Sequence, residues 1–415
     1  MPEMSLPQVS PQAVGVSTAR LRRVDSAMQR YMDEGKLAGL VTIFARRGQI
    51  FHVGCYGMAD RERQRPMQPD TIFRMWSITK AVTAAALMLL YEEGHFVLDQ
   101  DIADFLPAFK ATQVYAGMDG AQPKLVDKQR PITIRQLLLH TTGMASKAGT
   151  GQSLPDVQMA NIFVDIERDK PKPLAVVVDE MARVPLASQP NTHWVYGPSF
   201  DVAARLIEVI SGQSFNAFLR ARLFEPLGMS DSHHIVSAAQ LSRFSTFYAS
   251  AKPGELTVLD DPATSPHYVP DGKLAASYFT SGGTGLISTP EDTLRFALML
   301  ANRGQFNGVR ILAPRTVALM TVNHLPPHLL PYGFDANNPY YGYGHGLGVH
   351  TLFDNGLAGI PDALGTYWKD GGSGTLFWND PAHELTCVAL YQLSPFNLYP
   401  LWTQLRALVY QALDA

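Results

Sequence analysis

The chain has 415 residues, 46% hydrophobic and 17% charged, with a formal net charge of −3 at pH 7; that is ample material for a large core and for two or three domains, or one with a big insertion. The near-neutral balance, with no long basic cluster, gives no footprint for nucleic acid, and no apolar run reaches the ~18–20 residues that span a bilayer. Two cysteines, Cys55 and Cys387, sit in strand-like apolar contexts and read as core thiols of a reduced, cytoplasmic protein. The opening residues 1–7 lack the basic and apolar regions of a secretory signal, which leads to the same expectation.

Helical periodicity covers residues 18–34, with basic residues along one face. Two β-rich runs, 40–45 and 50–56, flank a turn at Gly48 and predict a hairpin. Next comes Ser77-Ile78-Thr79-Lys80, followed by an apolar run over 81–90 that ends at Gly94. Its Ala, Leu and Met content predicts a helix that is hydrophobic all round and therefore buried. Residues three apart share a helix face, so the Lys80 amine can reach the Ser77 hydroxyl. Burial disfavours the charged amine, and an uncharged base beside a serine makes it a nucleophile. A serine that only caps a helix, beside an exposed lysine, would show the same four letters.

Thr133-Ile134-Arg135-Gln136 is a capping box ahead of three leucines, with Gly143 as the stop. Otherwise residues 111–190 read as irregular, with Gly, Pro and Gln clusters at 117–123 and 148–155 that shape a pocket. His140, at the end of the capped helix, reads as a structural hydrogen-bonder. Tyr196 lies in Trp194-Val195-Tyr196-Gly197-Pro198-Ser199, just ahead of a helical stretch over 201–227. Its phenol either shuttles a proton beside positive charge or simply packs the loop. Ser288-Thr289-Pro290-Glu291-Asp292 starts another helix, ending near Gly304.

The aromatic-rich stretch 332–343 is expected to line an apolar pocket. Strand-like runs at 366–368 and 375–378 then flank Lys369-Asp370-Gly371-Gly372-Ser373-Gly374. That segment either presents backbone N–H groups to a developing oxyanion or is an ordinary hairpin turn. A strand over 385–390 and a helix over 399–413 close the chain. Strands at both ends with helices between them predict an α+β protein whose sheet is assembled from distant segments.

Rival chemistries lack their signatures. Gly371-Gly372-Ser373-Gly374-Thr375 misses the last glycine of a Gly-x-Ser-x-Gly elbow. His233 and His234 are adjacent and cannot pair on one helix face as zinc ligands. Neither nucleotide-binding glycine motif occurs.

In this order and spacing, the Ser77 tetrad, the Tyr196 loop and the Lys369 segment resemble the serine β-lactamase and penicillin-binding-protein superfamily. The likeness in length and detail is to class C β-lactamase-like esterases (family VIII carboxylesterases) and to acyltransferases typified by the lovastatin side-chain transferase. It runs from about residue 18 to the C-terminus and includes the phrases at 137–144, 225–229 and 282–289. The resemblance implies a β-lactamase/transpeptidase-like α+β fold. Residues 1–105 and 275–415 would form an antiparallel sheet flanked by N- and C-terminal helices, residues 106–274 a mostly helical domain, with the active site between them.

By the same resemblance, Ser77 is the acylated nucleophile and Lys80 the base. Tyr196 helps deprotonate Ser77 and later protonates the leaving alkoxide. The backbone N–H groups of Ser77 and Gly372 form the oxyanion hole. Lys369-Asp370-Gly371 is the substrate-binding segment, where β-lactamases carry Lys-Thr-Gly and many of these esterases Trp-Gly-Gly. No metal or cofactor is implied, and the partner is a small-molecule ester, not nucleic acid or a membrane. The implied activity is a serine carboxylesterase that hydrolyses, or transfers, short-chain acyl groups. An amidase, D-aminopeptidase or weak β-lactamase would use the same residues, and a non-catalytic scaffold would keep only the fold. One departure weighs against β-lactams: Tyr196-Gly197-Pro198 stands in place of Tyr-x-Asn, and proline has no side-chain amide.

Overall fold

The computed structural model describes residues 4–146, 153–167, 172–264, 279–334 and 339–414. Helix α1 (Thr18–Asp33) begins at Ser17, whose side chain accepts from the Arg20 N–H. It leads into strands β1 (Gly39–Arg46) and β2 (Gln49–Asp60), joined through Arg47 and Gly48, both at positive φ as a tight hairpin turn requires. A two-residue strand β3 (Arg65–Pro66) follows. Helix α2 (Ile78–Glu92) has every residue from Ile78 to Leu90 buried. Each fully buried Leu or Met contributes roughly 2 kcal/mol of apolar burial, so this helix is a central pillar of the core.

Between residues 111 and 190, expected to be irregular apart from the capped helix, the structure has regular elements. A hairpin is formed by β4 (Val114–Asp119) and β5 (Gln122–Val126), its turn lying in the glycine cluster. Helix α3 (Ile134–Leu139) carries the complete capping box. It stops at His140 rather than at Gly143, because His140 itself takes the left-handed conformation (φ 57°) and caps the helix. Helices α4 (Leu154–Glu167) and α5 (Leu174–Arg183) come next, while residues 148–152 of the second expected cluster lie outside the described residues. The stretch from 201 to 227 is not one helix. Helix α6 (Ser199–Ser211) ends at Gly212 (φ 70°), and a new start capped by Ser214 opens a shorter helical run.

Strands β6 (Phe247–Lys252) and β7 (Glu255–Asp260) pair as a hairpin, and α7 (Pro290–Ala301) is capped by Thr289. The chain then supplies β8 (Tyr343–His345), β9 (His350–Leu352), β10 (Tyr367–Gly371), β11 (Thr375–Asp380), β12 (Leu385–Tyr391) and the last helix α8 (Leu401–Tyr410). These strands join the N-terminal ones in one eight-stranded antiparallel sheet, order β8-β9-β10-β11-β12-β1-β2-β3. The sheet is buried on both faces. Phe44, Trp378, Cys387 and Ala389 pack under Leu21, Val24 and Met28 of α1 and Leu405 and Val409 of α8. Val41, Ile43, Phe377 and Val388 belong to the larger core, with α2 and α7. Cys387 is fully buried and Cys55 half-buried; burial pushes the Cys55 thiol up to about 12, and neither forms a disulfide. Among the described residues no helix is long and apolar enough to cross a membrane.

Candidate active site

Ser77 sits at the head of α2 but makes no cap bond with its side chain. The preceding residue explains why the hydroxyl is free to point elsewhere. Trp76 is in the left-handed region (φ 45°), a conformation that costs a bulky residue about 1 kcal/mol or more. It is held there by the Thr79 hydroxyl donating to the Trp76 carbonyl (2.5 Å), by Met75 N–H donating to Leu286 (2.9 Å), and by edge-on packing of the indole on Phe247. The Ser77 Oγ lies 2.5 Å from the Tyr196 hydroxyl and accepts from Lys80 Nζ at 3.2 Å.

Lys80 is only 1% exposed. Burying an ammonium carries a desolvation cost of several kcal/mol unless its protons are matched. Besides Ser77, the amine donates to the Gly283 carbonyl at 2.8 Å and lies 4.6 Å from the centroid of the Tyr196 ring. The loop that offers this carbonyl is tied down by Asp201 on α6. The Asp201 carboxylate accepts from the Ser281 hydroxyl at 2.6 Å and from the Gly283 N–H at 3.3 Å. A side chain at Gly283 would come 3.3 Å from Lys80 Nζ, so the glycine lets the backbone close on the amine.

Tyr196 is carried on a loop tethered by Val195 N–H to the His140 carbonyl (2.9 Å). Its ring packs against His140 (4.6 Å between centroids), Phe334 (4.8 Å) and Trp194 (5.9 Å). Only the backbone of His140 is the hydrogen-bonder expected from its position; the side chain is not. Both ring nitrogens are buried without a partner among the described residues. Burial above all, then His345 and the two lysines, hold its pKa well below that of an ordinary imidazole. It is a neutral flat plate behind the phenol. Tyr332, Phe334 and Tyr340 of the aromatic-rich stretch continue this wall, with Trp194 5.0 Å from Tyr332 and 5.8 Å from Phe334; residues 335–338 lie outside the described residues.

The glycine-rich segment closes the other side. Gly371, last residue of β10, is pressed against the turn before α2: a Cβ there would lie 2.3 Å from the Met75 carbonyl and 3.2 Å from the Ser77 nitrogen. Gly372 follows, its α-face against Trp76. Backbone bonds of this turn run from Ile78, Thr79 and Lys80 N–H to the Met75, Trp76 and Ser77 carbonyls, leaving the Ser77 N–H outside that set. Ser373 and Thr375 fasten the two turns together by donating to Arg74 and Met75 carbonyls at 2.6 and 2.9 Å.

Lys369 is fully buried, with Nζ 3.0 Å from His350 Nε2 and 5.9 Å from the Tyr196 ring centroid. Burial pulls its pKa down, Tyr196 and Asp370 oppose that, and Lys80 adds to it. Burial pushes the Asp370 carboxyl up, but His350 and Lys369 outweigh it and bring it to about 2. The structure thus brings together Ser77, Lys80, Tyr196, Gly371, Gly372 and Lys369. Trp76, Asp201, Gly283 and His350 join them without having been singled out as site residues; only Gly283 lay in a phrase that carried the resemblance. Among the described residues no cluster of His, Cys, Asp or Glu is arranged to hold a metal ion.

A profile of the beta-lactamase family matches residues 24–411. Esterase EstB of Burkholderia gladioli is 28% identical over 98% of this chain and 100% of that protein. A lovastatin esterase of Penicillium rubens is 29% identical over 86% of this chain and 88% of its own length. Among solved structures, EstCE1, described as a hydrolase with promiscuous acyltransferase activity, superposes with a TM-score of 0.77 at 27% identity, covering 94% of this chain and 99% of its own.

Proposed function

The chain belongs to the beta-lactamase family, and from that premise we propose that it is a serine carboxylesterase whose Ser77 is acylated by small ester substrates. The observation that carries this reading is the contact of the Ser77 hydroxyl with both the Tyr196 phenol and the Lys80 amine. A serine hydroxyl needs a base within hydrogen-bond reach to attack a carbonyl at neutral pH, and here two candidates converge on one oxygen.

Ser77 Oγ attacks the ester carbonyl as its proton passes into the Tyr196–Lys80 pair. The oxyanion forms against the N–H groups of Ser77 and Gly372, fixed dipoles that need no reorganisation when the charge develops. Tyr196 then returns the proton to the departing alkoxide, leaving the acyl group on Ser77. Water, or a second alcohol, attacks that ester by the same steps in reverse and releases acid or new ester. Transfer to an alcohol is supported by the activity described for EstCE1, and short-chain acyl esters suit a site walled by Trp194, Phe334 and Tyr340. Pro198 offers no amide for a lactam, which ranks esters above penicillins or cephalosporins.

Intact-protein mass spectrometry after a short incubation with p-nitrophenyl butyrate tests the reading. A butyryl adduct mapped to Ser77, decaying with time and absent in Ser77→Ala, is expected, with turnover lost and the fold intact. Full esterase activity in Ser77→Ala would end the proposal.

A further inference from the structure

We propose that His350 is a positioning residue for Tyr196: its ring accepts a hydrogen bond from Lys369 and so fixes that lysine's amine beside the phenol that shares a proton with Ser77. This rests on the reading of Tyr196 as a proton carrier.

Nε2 faces two partners, Lys369 Nζ at 3.0 Å and Asp370 Oδ1 at 3.5 Å, and with Lys369 charged the shorter contact decides the tautomer. A lysine amine in its charged form has only protons to give, so His350 Nε2, 3.0 Å from Lys369 Nζ, is the acceptor. The ring proton then sits on Nδ1 and is donated to the Tyr332 hydroxyl at 2.6 Å. Tyr332 in turn donates to the Gly344 carbonyl at 3.0 Å. The ring cannot easily turn away. It stacks on Trp368 (5.3 Å) on one strand of the sheet and on Tyr332 (6.0 Å, planes 7° apart), and His350 pairs in register with Trp368.

The charged and titratable groups around His350 are Lys369, Asp370 with Oδ1 3.5 Å from Nε2, Tyr332, Tyr340 at 5.9 Å between ring centroids, Lys80 and His345. Burial first, and then Lys369, hold the ring's pKa down at about 4. The Nε2 lone pair therefore stays available throughout the neutral range. Lys369 ends a long flexible stem; without an acceptor its amine has no single resting place. With His350 it stays 5.9 Å from the Tyr196 ring, where a positive charge favours the deprotonated phenol. Lys369 is buried and already bonded, so its first task is at Tyr196.

The test is the pH profile of kcat/KM on p-nitrophenyl butyrate for the wild type, His350→Ala, His350→Gln, Lys369→Met and the double variant His350→Ala/Lys369→Met. Losing a fixed cation near the phenol makes its proton harder to remove, so His350→Ala should move the acid limb up by about one pH unit. That is a roughly tenfold loss below the limb with recovery above it. Lys369→Met should shift the limb in the same direction, the double variant no further, and His350→Gln, which keeps an acceptor, should lie close to wild type. A fall of equal size at every pH would mean that His350 only packs, and additive shifts would mean that it acts independently of Lys369; either overturns the proposal. Should His350→Ala fail to fold, His350→Phe keeps a ring between Trp368 and Tyr332 and removes the acceptor. It must then shift the limb the same way, and an unmoved limb overturns the proposal. The Ser77 adduct is measured in parallel: its absence from the wild type would refute the nucleophile reading, and its presence with an unmoved limb only the role of His350.

Discussion

Adding a single methyl at Gly371 separates geometry from chemistry at the proposed oxyanion hole. The new Cβ would stand 2.3 Å from the Met75 carbonyl oxygen and 2.4 Å from Thr375 Oγ1, with the Ser77 nitrogen 3.2 Å away. Ordinary contact lies near 3.4 Å, so the end of β10 must retreat from the head of α2 by about 1 Å. A donor moved by about 1 Å no longer makes a useful bond to the oxyanion, and losing one such donor lowers kcat by about 10²–10³. Overpacking adds about 1–3 kcal/mol of destabilisation. At Gly372 the same methyl meets the Trp76 ring at 3.1 Å, and that ring is partly exposed and can give way. Gly372→Ala should therefore lose under about 1 kcal/mol of stability. It should keep kcat within about tenfold of wild type. Steady-state kinetics on p-nitrophenyl butyrate and urea unfolding of both variants decide the matter. For Gly371→Ala, kcat and kcat/KM should fall together with KM little changed, as for an interaction made only in the transition state. The reasoning fails if Gly371→Ala keeps kcat within threefold of wild type, or if Gly372→Ala proves the more damaging of the two.

Two further outcomes are expected. Tyr196→Phe keeps the ring between His140 and Phe334 but removes the oxygen 2.5 Å from Ser77. Ester turnover should fall by about 10²–10⁴, the usual worth of a positioned proton carrier, with the melting temperature little changed; near-normal turnover would shift the proton to Lys80 alone. Acid should destabilise the fold between pH 6.5 and about 4. His52, His234 and His350 are held by burial at about 4, so over that window the unfolded chain binds protons that the folded one refuses, and stability rises with pH. Each contributes up to about 3 kcal/mol of loss by pH 4. Asp292, raised by burial to about 6, works in the opposite sense but is one group against these three, with His140 and His345 also held down by burial. Urea midpoints at pH 7 and 4.5 measure the net; a steady midpoint would show that these imidazoles take up protons while folded.

What could be read from the letters follows from how local each signal is. The β1–β2 hairpin, the buried helix after Ser77 and the Thr133 capping box all depend on neighbours a few residues apart, and all are present. The β4–β5 hairpin was missed because β5 is exposed along its length and carries no alternating apolar face. Helix α5 is different. Leu174, Val177, Val178 and Met181 are buried at helical spacing, a pattern that stands in the sequence itself. At the site, Ser77, Lys80, Tyr196 and the glycine segment were found through motifs. Nothing in Met75-Trp76-Ser77 announces a left-handed tryptophan, which exists only because tertiary packing holds it. His350 meets Lys369 because two strands pair, not because of any spacing in the chain.

The order of strands also bears on how the protein is made. In the middle of the sheet β1 lies against β12, and Arg46 pairs with Leu385, about 340 positions later in translation. At about 5–20 residues per second, a strand with every residue buried in the finished sheet waits roughly 20–70 s for one of its two neighbours. Until then it offers an open apolar edge on a nascent chain. Ser77, the proposed nucleophile, is synthesised early, and the Gly371–Gly372 turn proposed to hold the oxyanion very late. Truncated products should therefore be the aggregation-prone species in the cell, and holding chaperones should matter most during this interval.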